Sequence, residues 1–208
     1  MHTTNYYSKS WFHISPGLHR FIPTNVKKII ALDIDMFVLA DIKQLWKYFD
    51  YFDSKQMMGF SSEQQPVYFH VTSNLRERNT NTIVGKPKPN GLPGVNGGVK
   101  LLHLDRLRKN QLYNAFLNTP IKLLALADKF ELRGHLGDQD FFTLLSFEHA
   151  SWIHILPCGW NRQLCQWWRL YGYGDIFDLY NKCPLPHHIL HGNCNTQIPH
   201  VDFHNFLQ

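Results

Sequence analysis

An α/β fold, with a mixed but mostly parallel sheet flanked by helices, is what this sequence predicts. Three observations point there. Short apolar runs rich in Ile, Val and Leu recur along the chain. Stretches with helical spacing of apolar residues lie between them. Apolar residues make up 44% of 208 positions, enough to build one core.

Residues 26–34 form the first run, too short for a helix, and read as a buried parallel-type strand. The run ends in Asp33-Ile34-Asp35. Asp41 then stands as the N-cap of a helix whose apolar face is Ile42, Leu45, Trp46, Phe49 and Phe52, with Gln44 placed as in a capping box. Residues 57–60 read as a strand. Residues 61–94 hold Pro66, Pro87, Pro89 and Pro93 with Gly85, Gly91 and Gly94, show little periodicity, and read as a long functional loop. Residues 98–104 read as a strand. Asp105 starts a helix through Leu107, Leu112 and Phe116, and Pro120 opens another that reaches Phe130. Gly137-Asp138-Gln139-Asp140 opens a third helix, and residues 153–156 read as a strand. Beyond Cys158 the chain is aromatic and loop-rich.

Composition narrows the function classes. Lys and Arg number 21 against 16 Asp and Glu, a net charge of +5. They are scattered, with no block of five like charges, so nucleic acid is not indicated as a partner. No apolar run reaches the ~18 residues of a membrane-spanning helix, and residues 1–12 lack the apolar middle of a signal peptide. Aromatic residues reach 14%, a large stacking surface for a sugar or a base. The cysteines, Cys158, Cys165, Cys183 and Cys194, cluster towards the C-terminus, and their spacing matches no paired-knuckle zinc pattern. They read as two disulfides in an oxidising compartment, with three pairings open.

Several constellations carry chemistry. Two carboxylates one residue apart at a strand end, Asp33 and Asp35, can turn toward one divalent cation that neutralises a diphosphate. His191 adds an imidazole, which with two carboxylates suits manganese, and Gly192 lets backbone approach a phosphate. Gly94-Val95-Asn96-Gly97-Gly98-Val99 reads as a turn before a strand. Asp138 and Gln139 begin a helix where acids suit the dipole, and both can hydrogen-bond sugar hydroxyls. Trp160-Asn161 and Trp167-Trp168 offer a saccharide face, with at least one of these tryptophans expected in the core.

Taken together, DID, VNGGV, LGDQDFF and HGN resemble the hallmarks of glycosyltransferase family 8, in that family's order. The strings QPVY, GLPG, RGHLGDQDFFTLL, WNRQLCQWW and HGNCNTQIP extend the likeness from about Tyr7 to Pro199, toward its xylosyl-transferring members. The resemblance implies a GT-A fold, here truncated at the N-terminus. The whole of 1–208 would be a partial catalytic domain, with 157–208 as its disulfide-linked C-terminal segment. A nucleotide-binding half-domain and a membrane anchor would precede the metal motif, and the short chain alone would be inactive.

The implied reaction moves xylose from UDP-xylose, with retention and an α-1,3 linkage, onto xylosyl-glucose O-linked to EGF-like repeats of Notch-type glycoproteins. It would take place on the lumenal side of the endoplasmic reticulum membrane, with a homodimer allowed. By the same resemblance Asp33, Asp35 and His191 bind Mn²⁺, with Mg²⁺ as a substitute. Ile34 lies against the nucleotide. Asn96, Gly97, Asp138 and Gln139 face the donor sugar, the last two as catalytic positions. Gly192 and Asn193 meet the diphosphate. Tyr68, His70, Trp160, Asn161 and Trp167 face the acceptor. The implied disulfides are Cys158–Cys183 and Cys165–Cys194. Gly97 departs from the family's Ser, and VTSNLRERN after His70 replaces an aromatic acceptor loop. The alternative is a non-catalytic remnant or binding module of the same fold.

Overall fold

A computed structural model describes residues 14–132, 134 and 136–199, so the reading of residues 1–12 lies outside it. Its strands are β1 (Ile29–Leu32), β2 (Met36–Val38), β3 (Met58–Ser62), β4 (Val95–Leu102), β5 (Ile153–Leu156), β6 (Arg162–Gln163) and β7 (Ile189–His191). Four form one sheet in the order β1-β4-β3-β5, and three form a second in the order β2-β7-β6. The helices are α1 (Leu18–Phe21), α2 (Ile42–Trp46), α3 (Val67–Val71), α4 (Ser73–Arg78), α5 (Leu104–Lys109), α6 (Gln111–Asn118), α7 (Pro120–Lys129), α8 (Asp138–Glu148) and α9 (Gly174–Asn181).

β4 organises the molecule. All eight of its residues are buried. Side chains alternate across a strand, so Leu102 joins one apolar cluster and its neighbour Leu101 the other. The larger cluster packs Phe60, Tyr68, Tyr113, Phe142 and Phe177. The smaller packs Leu45, Phe49, Val99, Trp160 and Ile189. α8 lies on the first side and is buried along most of its length, as its run of Phe and Leu requires.

The α/β architecture with mixed sheets flanked by helices is as expected, with several differences. Three of the five ladders between these strands are antiparallel, so parallel pairing does not predominate among the described residues. β1 is not a buried parallel strand: it runs antiparallel to β4, at the edge of its sheet and half-exposed. A four-residue Ile-rich run fits an edge as well as a centre, and only the sheet order separates the two. The expected long loop contains α3 and α4, because Tyr68 and Val67 reach the core and hold a helical turn there. The Gly94–Val99 segment is strand rather than turn, since β4 starts at Val95. The helix expected from Asp105 to Phe116 is two helices, because the Asn110 side chain accepts from Tyr113 N–H and begins α6 afresh. Asp41 caps α2 through Lys43 N–H, and the chain from Lys47 to Tyr51 tightens to a 3₁₀ turn. The C-terminal segment carries α9, β6 and β7 as well as loops.

Candidate metal and donor site

The DID segment is the short link between β1 and β2, held at both ends by backbone. Asp33 N–H donates to Gly98 O at 2.9 Å, and Gly192 N–H donates to Asp35 O at 2.8 Å. β2 pairs antiparallel with β7, and the register sets Met36 opposite His191. Residues 156 positions apart in sequence are thereby brought together. His191 Nε2 lies 3.5 Å from Asp35 Oδ1 and 4.0 Å from Asp33 Oδ2. One ligand atom from each of the three lies within 4.8 Å of the others.

The ring is held in place. Gly98 sits so close that a Cβ there would meet His191 Cε1 at 2.4 Å. His191 Nδ1 donates to Asn161 Oδ1 at 3.0 Å, which leaves the Nε2 lone pair facing the carboxylates. Burial holds the imidazole below its usual pKa, against the pull of Asp35 and Asp33, so the neutral ring is favoured. Two half-exposed carboxylates and an imidazole lone pair converging on one point form an O₂N donor set that fits a divalent cation.

Behind this cluster lies a buried polar network. Asn96 Oδ1 accepts from Gly98 N–H and from Asn161 Nδ2, each at 2.9 Å. Asn96 Nδ2 donates to Glu63 Oε2 at 3.1 Å. Gln139 Nε2 donates to the same Glu63 oxygen at 2.9 Å, and Gln139 Oε1 accepts from Gly97 N–H at 2.9 Å. Asp138 accepts from Ser15 Oγ, and Lys100 Nζ stands 3.5 Å from both Asp138 Oδ2 and Asp33 Oδ1. Asn96, Gly97, Asp138 and Gln139 are thus gathered beside the three-residue cluster. Ile34, between the two acids, is fully exposed. Gly192 and Asn193 follow β7 directly. The Asn193 side chain accepts from Leu164 and Cys165 N–H, each at 3.0 Å, and so pins the neighbouring segment.

The residues expected to face an acceptor divide. Tyr68 is fully buried and its hydroxyl donates to Asp140 Oδ1 at 2.9 Å, so its ring belongs to the core. Trp160 is buried and stacks on His188 with ring centres 4.2 Å apart, the core tryptophan that was expected. Asn161 is fully buried and faces His191 and Asn96 instead of the surface. Trp167 is exposed and stacks on Tyr171 at 4.5 Å. His70 is half-buried beside Tyr173 and Trp168. The disulfides are Cys158–Cys183 and Cys165–Cys194, with Cα separations of 5.8 and 5.6 Å.

Sequence reasoning missed Lys100 and Glu63. Lys100 carried a signal, as a lysine inside the apolar run GVKLLHL. Glu63 carried none, because its role depends on partners 33 and 76 residues away.

Residues 4–168 match the family model described as Glycosyl transferase family 8. The chain is 47% identical over 194 residues to human xyloside xylosyltransferase 1, covering 93% of this chain and 49% of that protein. It is 34% identical over 148 residues to mouse xylosyl- and glucuronyltransferase LARGE2, covering 71% of this chain and 19% of that protein. In structure it is similar to apo mouse xyloside xylosyltransferase 1, with a TM-score of 0.90 and 46% identity over 96% of this chain and 68% of that one. Galactosyltransferase LgtC with donor and acceptor sugar analogues shares the fold, with a TM-score of 0.52 at 15% identity, over 86% of this chain and 56% of LgtC. These neighbours make the fold that of GT-A glycosyltransferases. The chain spans about half the length of xyloside xylosyltransferase 1. It belongs to glycosyl transferase family 8.

Proposed function

We propose that this chain supplies the metal and donor-sugar site of a retaining xylosyltransferase. The donor is UDP-xylose, and the acceptor is xylosyl-glucose O-linked to EGF-like repeats, joined in an α-1,3 linkage. The observation that carries this reading is the convergence of Asp33, Asp35 and His191 beside Asn96, Asp138 and Gln139. Mn²⁺, or Mg²⁺ in its place, would be held by those three ligands and would supply charge neutralisation for the departing diphosphate.

The chain's own residues do the rest by positioning and electrostatics. Asp138 and Gln139 face the donor from the start of α8, and Gly97, within β4, holds Gln139 by donating its N–H to Gln139 Oε1. Lys100, between Asp33 and Asp138, adds positive charge on the side where phosphate charge develops. Gly192 and Asn193 would lie beside the diphosphate, with Gly192 N–H holding the Asp35 backbone in place. Trp167 and Tyr171 form an exposed aromatic stack suited to a sugar face. Retention follows a front-face route that requires no enzyme nucleophile, with the leaving phosphate taking the acceptor proton. The two disulfides fit the lumen of the endoplasmic reticulum.

The test is turnover of UDP-xylose on a xylosyl-glucosyl EGF repeat, by the protein that carries this chain, in Mn²⁺. Transfer with an α-configured product, lost in Asp35→Ala, upholds the reading. A folded wild-type protein that transfers no sugar from UDP-xylose, UDP-glucose or UDP-glucuronate would establish the non-catalytic remnant.

A further inference from the structure

We propose that Glu63 and Asn161 are positioning residues that decide which ring nitrogen of His191 carries its proton. The inference rests on His191 being a ligand of the proposed metal site. Four side chains form one line of hydrogen bonds. His191 Nδ1 donates to Asn161 Oδ1 at 3.0 Å, and Asn161 Nδ2 donates to Asn96 Oδ1 at 2.9 Å. Asn96 Nδ2 then donates to Glu63 Oε2 at 3.1 Å. Every bond points the same way, from the imidazole toward the acid.

That direction is enforced at both ends. Above about pH 7, as in the experiment below, Glu63 is a carboxylate, which accepts and cannot donate. Both Glu63 oxygens are engaged by donors: Oε2 by Asn96 and Gln139, Oε1 by Gln65 N–H at 2.9 Å. Gly98 N–H, a donor only, faces Asn96 Oδ1 and reinforces the same orientation of that amide. A glutamine at 63 could not replace the acid. Either its NH₂ would face Gln65 N–H, or it would face the NH₂ groups of Asn96 and Gln139. The four side chains of the line are all buried, so water cannot relieve the conflict.

The line matters because a competing pull exists. Asp35 Oδ1 lies 3.5 Å from His191 Nε2 and attracts a proton to that nitrogen. A proton there would occupy the lone pair that a cation needs. Asn161, closer and in line with Nδ1, holds the proton on the far side of the ring. Hydrogen-bond partners behind metal-ligating histidines set ligand geometry in this way, and losing one typically weakens metal affinity ~10–100-fold.

The experiment reads the ring directly, in metal-free protein carrying ¹⁵N-labelled histidine at pH 8. The His191 signals are assigned by their loss in His191→Asn. Wild type should show the Nδ1–H form, and the Nε2–H form in wild type overturns the proposal without any variant. Asn161→Leu should move the proton to Nε2 and weaken Mn²⁺ binding, read by the spin resonance of free Mn²⁺, at least tenfold. Asn161→Asp, which keeps the acceptor, should retain the Nδ1–H form. Glu63→Gln should give a mixture of forms and weaker Mn²⁺ binding. An Nδ1–H ring with wild-type affinity in Asn161→Leu or in Glu63→Gln overturns the role of that residue. A shifted proton with unchanged Mn²⁺ affinity upholds the line and overturns the metal reading instead.

Discussion

Glu63 shows how one buried side chain ties chemistry to stability. Burial pushes its pKa up to about 7, against hydrogen bonds from Asn96, Gln65, Gln139 and Gln64 that favour the charged form. In the unfolded chain the same group titrates near 4.5. Between those two values the folded protein binds the proton more tightly, so this group's contribution is full below about 4.5 and is lost as pH rises through about 7. The loss is roughly 3 kcal/mol. Urea unfolding at pH 5 and pH 8 should show a fall of that order from this group, and Glu63→Gln should flatten the slope. Gly98 makes a second case. Its missing Cβ is the space that His191 and the Met36 methyl occupy. Gly98→Ala should displace the imidazole and weaken Mn²⁺ binding at least tenfold, while far-ultraviolet circular dichroism stays as in wild type. An unaltered Mn²⁺ titration would show that the ring position is not what that glycine protects.

At the scale of elements, the site is a meeting of strand ends. β1 delivers Asp33, the link to β2 delivers Asp35, and β7 delivers His191. The Cys165–Cys194 disulfide then joins the segment after β6 to the turn after β7, next to the Asn193 side chain that holds Leu164 and Cys165. Replacing both cysteines with alanine should reduce stability by roughly 2–4 kcal/mol in urea unfolding, and should weaken Mn²⁺ binding by loosening β7. Loss of stability with unchanged Mn²⁺ affinity would mean that the pairings of β7 with β2 and β6 hold His191 without the crosslink. Much of this arrangement was legible in the residues. DID, HGN and LGDQDFF named residues that the fold brings together, and the cysteine cluster marked the crosslinked end. What stayed hidden depends on distant partners. β2 and β6 are two or three residues long, with no periodicity to read, and exist because β7 pairs with both. α3 was concealed by Pro66 and by surrounding glycines and prolines, and is held by the burial of Val67 and Tyr68. Only the family resemblance placed Tyr68 and Trp160 toward an acceptor, and neither residue type nor neighbourhood in sequence reveals which way a ring points.

Over the whole molecule, β4 separates two apolar clusters and carries a polar seam between them. Asn96, Gly97, Gly98 and Lys100 interrupt its apolar run at the positions where Glu63, Gln139, Asn161, His191, Asp33 and Asp138 converge. The apolar halves of the strand hold the fold, and the interruption builds the site. Such a seam is stable only when its members satisfy one another, which is why the acid, the amides and the imidazole form one connected set. Binding of Mn²⁺ to the folded state alone should therefore raise the melting temperature, with about 2.7 kcal/mol of stabilisation at a hundredfold excess over the dissociation constant. The most direct measurement is anomalous diffraction at the manganese edge from Mn²⁺-soaked crystals of the protein that carries this chain. One strong peak is expected about 2.1 Å from carboxylate oxygens of Asp33 and Asp35 and within bonding distance of His191 Nε2. A peak elsewhere, or an ordered site that leaves His191 Nε2 without the ion, would contradict it.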